Sequence, residues 1–255
     1  MSGNELELTR FLIKHRGEIE FPHIGVVREI GAPTRSEGAW VVIESEDDIW
    51  KVQDNDASKK ADIYINGFGV SVKQSGGSFS FNRLQRANIP DVFRDIGFSD
   101  IEGKLENLDN VVDSFHNGLI NGRNRPWSDF FDPDDFYTLL RHLMMDCSPN
   151  LGPSPHPADL VLEGPANGIS ESNIEVYSFD EYFRKYSNKI KIAIRRQWIG
   201  QSSKSEHGRA TSLARKPGNA NWIYDTISGS PSGWREDVPI CDRRTVYFLM
   251  LEKVV

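Results

Sequence analysis

Cysteine is nearly absent from this sequence, with only Cys147 and Cys241 among 255 residues. Two thiols cannot build a disulfide framework, so the chain must be held by hydrophobic burial, and the scarcity suits a reducing compartment. Long apolar runs are missing too, which excludes a helical membrane span. The opening MSGNELELTR carries acids where a secretory leader needs a basic segment and then an apolar one. There is no Walker-type glycine loop, no dinucleotide fingerprint, no Cys/His zinc pattern and no Gly-x-Ser-x-Gly elbow. That removes the usual signatures of phosphate-loop, dinucleotide, zinc and serine-hydrolase chemistry. The expectation is a cytoplasmic protein with no membrane partner.

An overall excess of positive charge is lacking as well. The net charge of −7 argues against a polyanionic partner until its distribution is read. Between Tyr182 and Lys216 stand ten basic residues against one acid, Glu206, a local +9 that leaves −16 on the rest of the chain. A basic patch on an acidic body can direct a phosphate backbone to one face, although a solvated basic surface is the plainer reading of charge alone.

What is present is a globular composition, 38% hydrophobic and 26% charged, on a chain long enough for a substantial core. Residues 5–16, ELELTRFLIKHR, suit an amphipathic helix, and GVVREI and AWVVIES read as strands, the second able instead to extend a helix. The glycine-serine stretch at 75–78 leads into a basic piece expected to be helical and to end near Pro90. Residues 132–147 give the clearest helix, with Asp132 as cap, Pro133 in first position, and Asp134 and Asp135 at the positive dipole end. Capping explains those acids without chemistry. Residues 148–172 are rich in proline, glycine and serine and mark a long loop or a boundary. IEVYS reads as a strand, and Ser178 with Glu181 forms a capping box for FDEYFRKY. KIKIAIR alternates between an isoleucine face and a basic face, and TVYFLMLEKVV is a continuous apolar run suited to the middle of a sheet. The class is α/β.

The stretch KKADIYINGFGVSVKQ, residues 59–74, carries the chemistry. Asn66-Gly67 between alternating runs is the strongest short-range hairpin signal, since both central residues of a type I′ turn need positive φ. Counting outward pairs Ile65 with Phe68, Ile63 with Val70 and Asp62 with Ser71. Ala61, Ile63, Ile65, Val70 and Val72 then share a buried face, while Asp62, Ser71 and Lys73 share the other. A carboxylate beside a lysine on a rigid scaffold suits metal-assisted phosphodiester hydrolysis, with Asp62 holding a hard divalent ion such as Mg²⁺ and Lys73 managing a water.

These residues resemble the PD-(D/E)xK nuclease superfamily, which includes most type II restriction endonucleases. Its signature is an Asp early in one strand and, after a variable interval, an acid-x-Lys on the next. Asp62 matches the first position and Ser71-Val72-Lys73 the second, with serine where the family has an acid. The resemblance covers roughly residues 37–86. It implies a central mixed β-sheet flanked by helices, one domain over 1–255 with a catalytic core near 1–147 and a basic DNA-binding lobe near 173–255. It also implies Mg²⁺-dependent, sequence-specific cleavage of double-stranded DNA by a homodimer.

On that reading Asp62 and the Val72 carbonyl hold the metal, Lys73 manages the water, and Glu37 is the upstream acid, with Glu7 as its alternative. Gln74, Asn82, Arg83 and Arg86 would contact DNA beside the hairpin. Lys189, Lys191, Arg195, Lys204, His207, Arg209, Arg215 and Lys216 would form a second DNA-facing surface. A repair or junction-resolving nuclease, or a DNA-binding module that has lost its chemistry, are the alternatives on the same core.

Overall fold

The computed structural model describes residues 4–51, 58–76, 80–85, 88–116, 119–120, 124–148, 152–198 and 243–251. In chain order the main elements begin with helix α1 (Asn4–Lys14), strands β1 (Ile30–Pro33) and β2 (Trp40–Val42), and helix α2 (Glu46–Lys51). The hairpin strands β3 (Ile63–Ile65) and β4 (Phe68–Gln74) come next, followed by strand β5 (Ser80–Gln85), helices α3 (Ile89–Asp95) and α4 (Ile101–His116), and strand β6 (Asn124–Pro126). Helix α5 (Pro133–Arg141), strands β7 (Leu160–Gly164) and β8 (Glu175–Ser178), helix α6 (Phe179–Tyr186), and strands β9 (Ile190–Trp198) and β10 (Arg243–Leu251) complete the set. Among the described residues no helix is long and apolar enough to cross a membrane.

Two compact units divide these elements, one built from 1–79, 137–189 and 252–255 and the other from 80–136 and 190–251. The first holds a six-stranded mixed sheet in the order β8-β7-β4-β3-β1-β2. Every described neighbour pair in it is antiparallel except β7 against β4, which run parallel with Leu160 beside Val70 and Glu163 beside Lys73. The class is therefore α/β with a central mixed sheet flanked by helices, as the sequence implied.

Period-2 alternation sorts the two faces of this sheet. Ile63, Ile65, Val70, Val72, Leu160 and Leu162 point one way, into a core completed by Leu8 and Leu12 of α1. Those two leucines recur at helical spacing, and Glu5 and Glu7 in the first turn with Lys14 in the last complement the helix dipole. Val161 and Glu163 point the other way, and there Tyr186 of α6 donates its hydroxyl proton to the Glu163 carboxylate. Helix α6 begins as its capping box requires, with the Glu181 amide donating to Ser178 Oγ at 3.3 Å and the Glu181 carboxylate accepting from the Ser178 amide at 2.9 Å.

The second unit carries a four-stranded antiparallel sheet in the order β5-β10-β9-β6. The apolar run TVYFLM lies within β10, an interior strand, and Ile190 and Ile192 of β9 are buried as their alternation requires.

Three expected elements differ. The piece after the glycine-serine stretch is strand β5, with helix starting only at Ile89, because SFNRLQ pairs antiparallel with β10. Residues 132–147 do not form one continuous helix: α5 gives way to a π-helical turn over His142–Asp146 and then to extended backbone at Cys147. The supposed long loop at 148–172 contains β7, all five residues of which are buried. Its short run LVLEG is too brief for a periodicity signal and is read as strand only once two neighbours flank it.

Candidate active site

The turn forms as its residues demand, with φ of 49° at Asn66 and 86° at Gly67. Asn66 does more than bend. Its Oδ1 accepts from the amides of Arg28 (2.8 Å) and Glu29 (3.0 Å), and its Nδ2 donates to the carbonyls of Val26 (2.8 Å) and Ile24 (3.3 Å). The hairpin tip is thereby tied to the segment that precedes β1.

Further along, Gly69 lets another segment approach. A Cβ on Gly69 would lie 2.6 Å from the Pro157 carbonyl oxygen, while its amide donates to Asp159 Oδ2 at 2.8 Å. Ile65 faces Phe68 and Ile63 faces Val70 as counted. The Asp62 amide, however, also reaches the Val70 carbonyl at 2.9 Å, so residues 62 and 63 address one residue across the hairpin, as in a β-bulge. The simple cross-strand pairing of Asp62 with Ser71 is replaced by this offset. Ala61 leaves the Ile63 face: it is buried outside that core, its Cβ 3.2 Å from where one on Gly69 would sit.

The bulge still delivers the Asp62 carboxylate to Ser71. Oδ2 accepts from the Val72 amide at 2.7 Å and from Ser71 Oγ at 3.4 Å. Lys73 Nζ donates to Ser71 Oγ at 2.6 Å and to the Val72 carbonyl at 3.3 Å. The buried Ser71 hydroxyl is thus a relay between ammonium and carboxylate, accepting from one and donating to the other. Asp62 Oδ1 accepts no hydrogen bond among the described residues.

Loops beneath the hairpin fix its base. The amides of Lys60 and Ala61 both donate to the His156 carbonyl, at 3.0 and 2.9 Å, and Ser154 Oγ accepts from the Lys60 amide at 3.2 Å. His156 is fully buried with both ring nitrogens engaged. Nε2 lies 2.9 Å from the Thr34 carbonyl, which can only accept, so Nε2 carries the proton and Nδ1 accepts from the Tyr64 hydroxyl at 2.8 Å. Trp40 stacks on Tyr64 at 4.8 Å.

Three further groups surround the relay that sequence reasoning did not single out. Lys60 is buried to 8% exposure, and burial, followed by the charge of Lys73, pushes its ammonium down to about 8. Cys147, Asp62 and Asp146 act in the opposite direction. Asp146, at the end of the π-helical turn, has its carboxyl raised by burial, against the charges of Arg141, His142 and Lys60. Glu163 sits beside Lys73 in the parallel ladder and is itself buried. Lys60 stood in the hairpin stretch itself, and its closeness to Asp62 in the sequence was a usable signal. Asp146 and Glu163 come from elements whose form was misread.

The remaining expected residues are scattered. Glu37 is exposed in the turn between β1 and β2 and makes no hydrogen bond or ion pair among the described residues. Glu7 is exposed and pairs with Arg10 at 2.8 Å. Gln74 is exposed at the end of β4. Asn82 and Arg83 lie on strand β5. Lys189 sits over the Tyr186 ring at 5.5 Å, and Lys191 and Arg195 lie on β9. Arg86, Lys204, His207, Arg209, Arg215 and Lys216 fall outside the described residues. Among the described residues no three carboxylate, imidazole or thiol side chains gather at metal-holding distance.

The sequence matches no family model and no curated protein. Among solved structures, the crystal structure of restriction endonuclease MspI in complex with its cognate DNA is similar at 12% identity, over 94% of this chain and 76% of that one, with a TM-score of 0.31. A likeness this loose defines neither fold nor activity.

Proposed function

We propose that this protein is a divalent-metal-dependent endonuclease acting on double-stranded DNA in the manner of a type II restriction enzyme. The observation that carries the reading is the Asp62–Ser71–Lys73 relay on one side of a rigid hairpin. The donor set suits Mg²⁺, which takes oxygen ligands, keeps several waters and needs only one or two carboxylates beside substrate phosphate. Asp62, through Oδ1, and the Val72 carbonyl would hold the ion, with Glu37 as a further acid. When bound, such an ion supplies charge that polarises the scissile phosphoryl group.

The chain's own residues do the rest. Lys73 orients the attacking water from Nζ, and Ser71 keeps that ammonium and the Asp62 carboxylate in fixed relation. Water adds to phosphorus, one P–O ester bond breaks, and a proton passes to the leaving oxygen. Gln74, Asn82, Arg83 and the basic residues from Lys189 to Lys216 would position the duplex, and a homodimer would address both strands.

A second reading, a DNA-binding module without chemistry, is favoured by the hydroxyl of Ser71 where an acid would add a second metal-ligating charge. Incubation with Mg²⁺ and plasmid or phage DNA separates the readings. Discrete fragments that vanish with Lys73→Ala support the restriction reading, cleavage confined to branched DNA supports a junction-resolving nuclease, and binding without cleavage supports the module.

A further inference from the structure

Ser71 leaves the hairpin with one carboxylate, and the strand on the other side of β4 carries another. In the parallel pairing of β7 with β4, Val161 lies beside Ser71 and Glu163 beside Lys73. Adjacent strands run about 4.8 Å apart, and side chains alternate between the faces of each. Leu160 and Leu162 turn into the core with Val70 and Val72, so Glu163 stands on the face of Ser71 and Lys73.

The Glu163 carboxylate is held at one oxygen and open at the other. The residue is only 3% exposed. Its Oε2 accepts from the Tyr186 hydroxyl. Burial, and then the bond to Glu163, raises that hydroxyl far above its ordinary value, so it remains a donor. Oε1 accepts no hydrogen bond, and the carboxylate makes no ion pair, among the described residues. Nor is Oε1 one of the sealed atoms without a partner, so it keeps contact with solvent. A carboxylate this deeply buried is ordinarily paired with a cation or bound to a metal. Asp62 repeats the pattern from the β3 side of β4: Oδ2 is taken by the Val72 amide and Ser71 Oγ, and Oδ1 is open.

We infer that Glu163 supplies the second carboxylate of the metal site, its Oε1 joining Asp62 Oδ1 on one divalent cation, with Tyr186 fixing its orientation. The inference rests on the nuclease reading for the kind of ion, and on the ladder register and the open oxygen for the ligand. Mg²⁺ keeps several of its waters and takes only one or two carboxylates from protein, so this pair fills its anionic share without a third acid. A ligating carboxylate is usually hydrogen-bonded in turn by a partner that orients it, which is the part Tyr186 plays.

The test reads cation binding directly, on the full-length protein. With aspartate and glutamate carboxyl carbons labelled for NMR, titration of the unmutated chain with Mg²⁺ is expected to shift the Asp62 and Glu163 resonances together, with one dissociation constant. A shift confined to Asp62 overturns the inference. Calorimetric titration with Mn²⁺ is expected to show affinity falling about ten- to a hundredfold in Glu163→Gln, the loss of one charged ligand. Tyr186→Phe, which keeps the carboxylate but frees Oε2, is expected to lower affinity about tenfold. Wild-type affinity in Glu163→Gln overturns the inference, and because the carboxyl titration needs no variant, misfolding of Glu163→Gln does not remove the test. Cleavage lost with Lys73→Ala in a protein whose Glu163 ignores Mg²⁺ would leave the nuclease reading standing and this inference refuted. A joint shift of both carboxyls in a protein that cleaves no DNA would do the reverse.

Discussion

At the scale of single residues, Ser71 links the two charges of the hairpin. Its hydroxyl has one proton to give, and that proton goes toward Asp62 while a lone pair takes the Lys73 ammonium. Ser71→Ala would leave both neighbours in place but uncoupled. Cleavage should fall about tenfold or more, with stability reduced by about 1 kcal/mol, the scale of one lost hydrogen bond. Steady-state cleavage and chemical denaturation of the same variant measure the two. If Lys73 orients the attacking water, Lys73→Ala should be far more severe, with a loss of cleavage of about 10²- to 10⁴-fold. The turn residues make a contrasting pair. Asn66→Gly keeps the backbone conformation and deletes four side-chain hydrogen bonds, whereas Gly67→Ala keeps those bonds and places a Cβ at φ 86°. Each should destabilise by about 1–3 kcal/mol for its own reason. The double variant should depart from additivity, since the two residues share one turn and a glycine at 66 lets the backbone relax around the strained position at 67.

At the scale of elements, helix α6 gives a prediction in pH. Donation from the Ser178 amide, then from the Ser178 hydroxyl and His23, holds the Glu181 carboxyl below the ordinary glutamate value. A carboxyl depressed in the folded state stabilises fully above the unfolded value and loses that contribution as pH falls through the folded one. Glu181→Gln should therefore melt lower than wild type at neutral pH, and the gap should close as the solution is acidified. Melting curves across that range are the measurement, and a gap that widens in acid would contradict the capping account. The same elements show what the sequence could convey. The hairpin and the α6 cap were legible because their signals are local: Asn-Gly demands one turn, and Ser-x-x-Glu satisfies orphan amides within a single helical turn. The Asp62 bulge was not, since an extra residue in a strand leaves no mark in alternation until a partner strand counts it. Strand β7 was hidden by the prolines and glycines around it, and with it Glu163. The π-helical turn that brings Asp146 toward Lys60 was likewise invisible, because it is set by what the helix packs against and not by propensity.

At the scale of the whole molecule, charge is unevenly placed, +9 between Tyr182 and Lys216 on a chain of −7. If that segment carries the duplex, affinity must fall with added salt, log K declining by about 0.9 per decade of salt for each phosphate neutralised. Titrations at several salt concentrations give the slope. Replacing Lys204, Arg209, Arg215 and Lys216 together by glutamine should flatten it, while a slope unchanged by those replacements would move the footprint elsewhere. The single parallel pairing in the six-stranded sheet has a consequence of another kind. Strands β3 and β4 lie on either side of a two-residue turn and can close within microseconds, but β4 finds its other neighbour only when Leu160 and the residues after it arrive. During synthesis on the ribosome, therefore, the backbone edge that bears Ser71 and Lys73 is exposed before the strand that covers it exists. That interval leaves the edge open to pairing with the wrong strand.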